Sequence, residues 1–317
     1  MRHFMPCQDL HTHSKWDDGD SSITDMANFA VHAGLTSLGV CVHTPMPFGD
    51  QACSQEKLPS FLDDIRAAKG LRLYAGAEWD ILSTIPWDKQ SDGTVSLSSF
   101  DYVIGSVHYI TVDNPEADAL LAGGLQPDLI EQLRYRHFPV DESHQYSKHM
   151  VNGYFGGDAG EAIRRYYAQY KAVAENPYVK IVGHFDLPMK FCAMYGFLDR
   201  EYRVFDENSP AFREATDEAM QLLVNAGKIF ELNTRTMLGT TPSSSSYRSW
   251  EWLSRLAKLG GKVTISSDAH HASDVGHDFS TAAMLLTRSG FKEIWMLKET
   301  EKNGQPVLDF ASKALQT

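Results

Sequence analysis

The sequence predicts an α/β protein whose parallel strands close into a single barrel. Seven short runs of apolar and β-branched residues recur along the chain, and helical patterns lie between them. The runs are apolar almost throughout, as in strands that are buried on both faces. No linker divides the 317 residues, which favours one barrel domain over 1–317 rather than two separate domains. The runs are CQDLHTH, SLGVCVH, LRLYAGAEW, FDYVIGSVH, VKIVGHFDL, KIFELNT and KVTISSDAH.

The segments between these runs carry the signals of helices. Asp158 and Glu161 form the pattern of a capping box ahead of an apolar stripe. Ser209 and Pro210 suit the N-cap and first position of another helix, and Gly227 suits the residue after its end. A further stripe, after the first run, consists of Ile23, Met26, Ala27, Ala30 and Val31. Strands that alternate with helices are typical of a parallel sheet with helices packed on it.

The alternation is broken between the fourth and fifth runs. Residues 111–157 are rich in Gly, Pro, Asp and His, and they predict a long loop excursion. Loops of this length in a compact domain usually cover a functional site or are partly mobile. The histidines at 137, 144 and 149 are predicted to be ordinary loop residues.

Composition and charge exclude several classes of function. The net charge is −12 and no block of basic residues occurs, so neither a nucleic-acid nor a membrane surface is predicted. No stretch of about 18 apolar residues occurs, and the four cysteines form no C-x-x-C pair. The chain is therefore predicted to be soluble and cytoplasmic, with free thiols. An acidic protein that handles an anionic substrate needs local positive charge, which metal ions can supply.

Residues that commonly bind metals stand where the apolar runs end. Six of the 13 histidines hold such positions, together with one Glu and one Asp. In parallel β/α folds, the loops at the carboxyl ends of the strands build the active site, so these side chains are predicted to meet as a metal site. A single histidine of this kind would fit an ordinary core position equally well. The set as a whole favours a metal site. Its members are His11, His13, His43, Glu78, His108, His184, Asp268 and His270.

The spacing within this set supports the metal hypothesis. His11 and His13 stand at i and i+2 near a strand end, so both imidazoles point to the same face and can chelate one ion. Asp268 and His270 repeat that spacing, and the two pairs become neighbours once the barrel closes. Glu78 ends a buried strand, where a lone carboxylate is costly unless it is paired or binds metal. Its two oxygens also allow it to bridge two ions.

The motifs that carry these residues occur in a specific order. They are D-L-H-T-H (9–13) followed by D-G (18–19), G-x-E-W (76–79), G-S-V-H (105–108), G-H-F-D-L (183–187), E-L-N-T (231–234) and S-D-A-H (267–270). This set resembles the polymerase and histidinol phosphatase (PHP) family over residues 7–290. Tyr166, Tyr167, G-H-F-D-L-P and E-L-N-T are most similar to its histidinol-phosphatase branch. The resemblance implies a distorted (β/α)7 barrel of the PHP type, which agrees with the seven runs.

The resemblance also implies three divalent metal ions. The first would be held by His11, His13, Glu78 and Asp268, and the second by Glu78, His108 and His184. The third would be held by Asp18, His43 and His270, with Asp17 or Asp20 as alternatives to Asp18. Zinc, manganese and iron all suit such sites. The chain departs from the family pattern at Val42, where relatives commonly carry an acidic residue before the histidine.

The activity implied by the resemblance is hydrolysis of a small phosphate monoester, with L-histidinol phosphate, a substrate of histidine biosynthesis, as the expected one. In this hypothesis a hydroxide that bridges the metals attacks phosphorus. Proton transfer to the leaving group falls to Asp186 or to a metal-bound carboxylate, Glu78 or Asp268. Phosphate contacts are expected from Arg235 and Lys190, each just past a strand end, and contact with the substrate amine from Glu231.

Three alternatives remain open. Another phosphoesterase of the same family would share every metal ligand and differ only in its substrate, a nucleotide or another small ester. An amidohydrolase also begins with H-x-H in a β/α barrel, but such enzymes commonly bridge their metals with a carbamylated lysine, whereas this chain has Glu78 in that place. The third alternative is an inactive metal-binding module. The sequence leaves the oligomeric state open.

Overall fold

A computed structural model of the chain describes residues 7–48, 51–114, 136–190, 204–235, 251–302 and 305–315. Its strands are β1 (Gln8–Asp9), β2 (Ser37–His43), β3 (Arg72–Asp80), β4 (Tyr102–Ser106), β5 (Tyr109–Thr111), β6 (His137–Pro139), β7 (Val179–Val182), β8 (Ile229–Asn233), β9 (Lys262–Ser266), β10 (Glu293–Lys302) and β11 (Gln305–Ala314). Its α-helices are α1 (Ile23–His32), α2 (Leu58–Ala67), α3 (His144–Tyr154), α4 (Ala159–Ala168), α5 (Tyr170–Glu175), α6 (Pro210–Asn225), α7 (Glu251–Lys258) and α8 (Phe279–Ser289).

Seven parallel strands form the central sheet, in the order β1-β2-β3-β4-β7-β8-β9. Each of them lies within one of the seven apolar runs, so the predicted strand count is confirmed. The first and last strands meet just beyond their ends, where Thr12 pairs with Ala269 and the His13 amide donates to the Ala269 carbonyl at 2.8 Å. The sheet is therefore nearly closed into a barrel, as the sequence predicts.

Asp9 strengthens the junction between the first and last strands. Its carboxylate is fully buried and accepts hydrogen bonds from the Ser267 amide at 3.0 Å, the Ser267 hydroxyl at 2.5 Å and the Gly276 amide at 3.0 Å. Burial raises the pKa of this carboxyl to about 6, against the opposing effect of these donors. The junction positions the loops of β1 and β9 side by side, and both loops carry predicted metal ligands.

Two of the helices begin at the predicted residues, and one of them ends at the predicted glycine. The Ser209 hydroxyl caps α6 at the Phe212 amide (3.2 Å), and Gly227 after it has a φ of 73°. Asp158 caps α4 at the Glu161 amide (2.9 Å), but the predicted reciprocal half of the capping box is replaced by an ion pair between Glu161 and Arg164.

The apolar stripe predicted on α1 is confirmed at four of its positions. Ile23, Met26, Ala27 and Ala30 are buried against the barrel, whereas Val31 is 58% exposed. Val31 stands in the last turn of the helix, at the edge of the stripe rather than on its buried face. His32, which lies off the stripe, is exposed.

The excursion at 111–157 is not a continuous loop. Strands β5 and β6 form an antiparallel hairpin, and α3 follows it from the N-cap Ser143. The helix buries Ser147, Met150 and Val151, a spacing that the surrounding Gly and polar residues obscure in the sequence. His137 lies in β6, and the histidines at 144 and 149 lie in α3, so their prediction as loop residues is wrong. Positions 115–135 of the excursion lie outside the described residues.

A hairpin that the sequence analysis did not predict, β10 and β11, covers the opposite end of the barrel. Its Leu297 exchanges two hydrogen bonds with the side chain of Gln8, at 2.8 and 3.1 Å. It also contacts the first residues of two further strands, because Glu299 pairs with Arg72 and the Lys262 ammonium lies 4.2 Å from the Trp295 ring centroid. The amino-terminal ends of the strands are thereby covered, and the carboxyl-terminal ends remain for the site.

Two glycines make room for a tyrosine inside the barrel. The Tyr102 hydroxyl donates to the Leu10 carbonyl at 2.5 Å, and an added Cβ would lie 2.0 Å from that hydroxyl at Gly39 and 2.5 Å from it at Gly76. We expect Gly39→Ala to lower the free energy of unfolding by about 1–3 kcal/mol or more, because the packed ring cannot move away. Chemical denaturation measures this difference.

Gly153→Ala is the matched control for this prediction. Gly153 lies within α3 and has no atom within 4 Å of an added Cβ, so alanine there should stabilise the helix by about 0.5–1 kcal/mol. Equal effects of the two substitutions would contradict the packing argument. Among the helices of the described ranges, none is both long and apolar enough to cross a membrane.

Candidate metal centre

The eight side chains predicted at the strand ends meet at the carboxyl-terminal end of the barrel. Because the strands are parallel and in order, each strand end delivers its residue to the same opening. Three groups of side chains have ligand atoms close enough to hold an ion in common: His13 with Asp18, His43 and His270; His11 with His13 and Asp268; and His43 with Glu78 and His108.

The predicted ligands of the first metal surround one small volume. The Nε2 atoms of His11 and His13 lie 3.1 Å apart and 3.1 and 3.2 Å from Oε2 of Glu78. Oδ1 of Asp268 lies 3.7 and 3.6 Å from the same two nitrogens. A tetrahedral ion with bonds of 2.0–2.2 Å separates its ligands by roughly 3.3–3.6 Å. The four side chains therefore have the spacing of a metal site.

The second oxygen of Glu78 faces a different pair of histidines. Its Oε1 lies 2.9 Å from Nε2 of His184 and 3.3 Å from Nε2 of His108, and it accepts from the Ser106 hydroxyl at 2.7 Å. Nδ1 of His43 also lies 3.2 Å from Oε2, so this buried carboxylate, 1% exposed, has three imidazoles near Oε2 and two near Oε1. This is the geometry predicted for a carboxylate that bridges the first and second metals.

The residues predicted for the third metal lie nearer to solvent. Oδ2 of Asp18 is 3.1 Å from Nε2 of His270 and 3.7 Å from Nε2 of His43, and all three side chains are 21% exposed. The two alternatives to Asp18 lie elsewhere. Asp17 binds the other nitrogen of His13 at 2.6 Å, and the exposed Asp20 accepts from Ser21. The structure thus favours Asp18 as the ligand.

Three carboxylates behind the cluster hold the far side of the histidine rings. Oε1 of Glu231 lies 2.7 Å from Nδ1 of His11. Oδ2 of Asp17 lies 2.6 Å from Nδ1 of His13, and Oδ2 of Asp80 lies 3.1 Å from Nδ1 of His108. Each bond fixes the proton on Nδ1 and leaves the Nε2 lone pair directed at the cluster.

The hydrogen bonds between these carboxylates and the histidine rings test whether the side chains of the site suit a bound metal ion. With their Nδ1 protons held by Glu231 and Asp17, the neutral rings of His11 and His13 direct two Nε2 lone pairs at the Glu78 carboxylate. Acceptor atoms at about 3 Å from one another repel unless a cation or shared protons lie among them. The donor set therefore fits a bound cation.

The pKa shifts of the histidines and of Glu78 agree with this arrangement of acceptor atoms. Burial alone would lower the pKa of His11, but Glu231, Glu78 and Asp268 outweigh it and raise that pKa well above the usual value. The pKa of His13 is raised in the same way, chiefly by Asp17. For Glu78 the two effects have the opposite signs. Burial raises its pKa, but the surrounding histidines outweigh burial and lower the pKa well below the usual range. A cation is therefore strongly favoured at this position.

The backbone is strained at two of the ligand residues. His184 has a φ of 21° and Asp268 a φ of 53°, in the left-handed region that non-glycine residues seldom adopt. Hydrogen bonds hold both conformations: the His184 amide donates to Glu231 at 2.7 Å, and the Asp268 carbonyl accepts from Arg235 at 2.8 Å. Strain of this kind clusters at functional sites.

Comparison with known proteins agrees with the fold. The family model described as "PHP domain" matches residues 9–235, which is more than half of the chain. The chain belongs to the PHP domain family. A relative from Deinococcus radiodurans named "Probable histidinol-phosphatase" is 26% identical over 85% of this chain and 88% of its own length. One of the same name from Schizosaccharomyces pombe is 20% identical, over 90% and 87%.

Solved structures support the same fold for this PHP-domain protein. The histidinol phosphate phosphatase (HISK) from Lactococcus lactis, complexed with Zn, L-histidinol and phosphate, covers 92% of this chain and 97% of its own, with a TM-score of 0.56 and 19% identity. A structure from Listeria monocytogenes covers 86% of this chain and 99% of its own, with a TM-score of 0.62 and 15% identity. At these identities the likeness concerns the fold alone.

Arg235 and Lys190, which were predicted to contact the phosphate, lie in different surroundings. Arg235 lies at the rim, 38% exposed, where its guanidinium donates to the Asp268 carbonyl and contacts the His270 ring. Lys190 donates to Asp141 at 3.1 Å, so its charge is shared with a carboxylate that the sequence analysis missed. The hairpin positions Asp141, because the preceding Val140 amide donates to the His108 carbonyl.

The roles predicted for Glu231 and Asp186 stand differently against the structure. Glu231 is fully buried and both of its oxygens are bonded within the protein, so it has no free face for a substrate amine. Asp186 lines a cleft with Tyr167 and Trp252, and burial raises its pKa to about 6. Its role as a proton donor stays a prediction.

Proposed function

We propose that this PHP-domain protein is a metal-dependent phosphoesterase that hydrolyses a small phosphate monoester. The observation that carries the proposal is the position of Glu78, whose two oxygens both face histidine nitrogens at 2.9–3.3 Å, three at Oε2 and two at Oε1. Two ions on either side of one carboxylate form a clamp suited to the attacking and leaving oxygens of a phosphoryl transfer. Such ions, when bound, activate water and offset the charge of the phosphate.

The chain's own residues supply orientation and charge at this site. Arg235 offers the cationic fork at the rim that suits phosphate oxygens, and its bond to the Asp268 carbonyl holds the guanidinium in place. Glu78 and Asp268 were predicted as catalytic groups. Burial raises the pKa of each, but the neighbouring histidines outweigh it and lower both below their usual values, so both suit cation binding rather than proton donation.

L-histidinol phosphate is the substrate that we propose within this class. The support comes from relatives named probable histidinol-phosphatase that match nearly the whole chain, and from the bound L-histidinol and phosphate of the L. lactis structure. Three divalent ions, of zinc, manganese or iron, are proposed on the ligand sets described above. Other small phosphate esters are the second candidate, because every proposed metal ligand would serve them equally.

Release of inorganic phosphate from a panel of esters tests this proposal. The panel holds L-histidinol phosphate, nucleoside monophosphates and sugar phosphates, with metal-loaded protein. We expect preference for L-histidinol phosphate and its loss in His108→Ala, while His32→Ala, at an exposed position on α1, keeps full activity. Turnover of other esters alone would overturn the proposed substrate, and no turnover of any ester with metals bound would overturn the phosphoesterase.

Removing the rim cation should weaken phosphate binding more than it slows the chemical step. For Arg235→Ala we expect the KM for the ester and the inhibition constant of inorganic phosphate to rise about tenfold or more, as for loss of a charge-assisted hydrogen bond of about 1.5–3 kcal/mol. Arg213→Ala is the matched control, because that guanidinium pairs with Glu251 on the surface. An unchanged KM and inhibition constant would exclude Arg235 from the phosphate contacts.

A further inference from the structure

Glu231 lies at the centre of the hydrogen bonds behind the cluster, although it touches no proposed metal position. Its Oε1 accepts from Nδ1 of His11 at 2.7 Å and from the Ser266 hydroxyl at 2.6 Å. Its Oε2 accepts from the His184 amide at 2.7 Å and from the Asn233 side chain at 3.4 Å. The side chain is 0% exposed, so protein donors alone satisfy the carboxylate.

The bond to His11 decides which nitrogen of that ring can bind metal. A carboxylate accepts only, so Nδ1 must carry the proton, and Nε2 then presents its lone pair toward Glu78, His13 and Asp268. If Nδ1 lost this acceptor, the neutral ring could carry its proton on Nε2 instead, and that tautomer cannot bind a cation there.

The bond to the His184 amide acts on the other ion. His184 adopts a φ of 21°, a strained conformation that persists only where the surroundings hold it. Oε2 of Glu231 is the acceptor for its amide, and the side chain of His184 then reaches Oε1 of Glu78 at 2.9 Å. One oxygen of Glu231 therefore supports a ligand of the first metal and the other supports a ligand of the second.

We propose that Glu231 is a positioning residue that sets the affinity of the first and second metals together. It does so through the tautomer of His11 and the backbone of His184. The other outer carboxylates reach different ligands: Asp17 accepts from the His13 ring and the His43 amide, and Asp80 accepts from the ring and the amide of His108, so neither holds a ligand of both the first and the second metal. This inference rests on the metal ligands of the proposed function.

Glu231→Gln is the variant that separates positioning from simple packing. The amide nitrogen has to replace one of the two oxygens. In the Oε1 position it can donate to Nδ1 of His11, which places the ring proton on Nε2; in the Oε2 position it opposes the His184 amide. Either arrangement disturbs a ligand while shape and volume are kept.

The experiment measures zinc affinity by competition with a chelator and the His11 tautomer by ¹⁵N NMR of the imidazole. We expect Glu231→Ala, which removes both acceptors, to weaken binding of both the first and second ions about 10–100-fold and to alter the His11 tautomer, and Glu231→Gln to weaken one of the two ions at unchanged volume. Asp17→Asn is the matched control and should weaken the first and third ions, whose ligands it holds, and spare the second. Zinc-bound wild-type protein is the reference, so failure of wild type to bind zinc would count against the proposed function instead.

Two results would overturn the inference. One is Glu231→Ala with wild-type zinc affinity and an unchanged tautomer; the other is a Glu231→Ala variant that weakens only one of the first and second ions. If Glu231→Ala does not fold, Ser266→Ala replaces it, because that change removes one donor to Oε1 and keeps the carboxylate. We then expect a smaller loss of affinity, confined to the first ion, and no loss would contradict the proposal.

Discussion

Glu78→Gln is expected to abolish phosphate release, with a loss of roughly a thousandfold or more. The side chain has histidine nitrogens on both of its oxygens, so whichever way the amide turns, its NH₂ group faces one proposed metal position. The variant also loses the negative charge that the two ions would share. Several kcal/mol of transition-state stabilisation are attributed to metals in such sites, and each 1.36 kcal/mol corresponds to about tenfold in rate.

Steady-state kinetics and metal analysis by mass spectrometry check this prediction together. We expect fewer bound ions per chain as well as the loss of rate, in protein whose circular dichroism is unchanged. Glu161→Gln is the control, because that residue is exposed on α4 and pairs with Arg164. A Glu78→Gln variant that keeps both its ions and its activity would exclude Glu78 as the bridge.

The second large effect is a steep dependence of metal affinity on pH. Burial lowers the pKa of His11 and His13, but the nearby carboxylates outweigh it and raise both well above 6.5, so these rings are protonated in metal-free protein near neutral pH. An imidazole must lose its proton before it binds metal. Binding of the first ion therefore releases protons, and the affinity rises as the pH rises.

The size of this effect follows from the number of protons released. Two protons give up to a hundredfold increase in affinity per pH unit as long as the pH lies below the raised pKa values of both rings. Competition with a chelator of known protonation constants at several pH values measures the slope. Asp17→Asn should give a shallower slope, because Asp17 is the main group that raises the pKa of His13. An affinity that does not change with pH would show that these rings are neutral without metal.

The strands and their order were predictable because each of the seven apolar runs forms a buried strand. Runs that follow one another along the chain also lie next to one another in the sheet. A strand buried on two faces needs an unbroken apolar run, and parallel neighbours need a crossover helix between them, so the local pattern specifies the topology. The β10–β11 hairpin was missed because its side chains vary from buried to exposed without strict alternation. Helix α3 was missed because its apolar face is short and lies among Gly, Asn and His.

Eight of the nine proposed ligands were predictable for the same reason: each lies at or just past the end of a strand, and parallel strands bring their ends together. Asp18 lies on the loop after β1 and was implied only by the family resemblance. The carboxylates behind them were harder to predict, since Glu231 and Asp80 become partners of His11 and His108 only through contacts between different strands. Sequence spacing offered one clue, because Asp80 follows Glu78 at i+2 on the same strand. Whether a carboxylate faces the opening or supports a ligand from behind is decided by burial, which three-dimensional packing determines.

Crystals of metal-loaded protein, measured at the absorption edge of the bound metal, test the central claim most directly. Anomalous scattering reports the number and positions of ions independently of activity. We predict one peak between Glu78 and the pair His11 and His13, and a second between Glu78 and the pair His108 and His184. Peaks on only one side of Glu78, or none near it in protein that hydrolyses phosphate esters, would contradict the carboxylate-bridged centre.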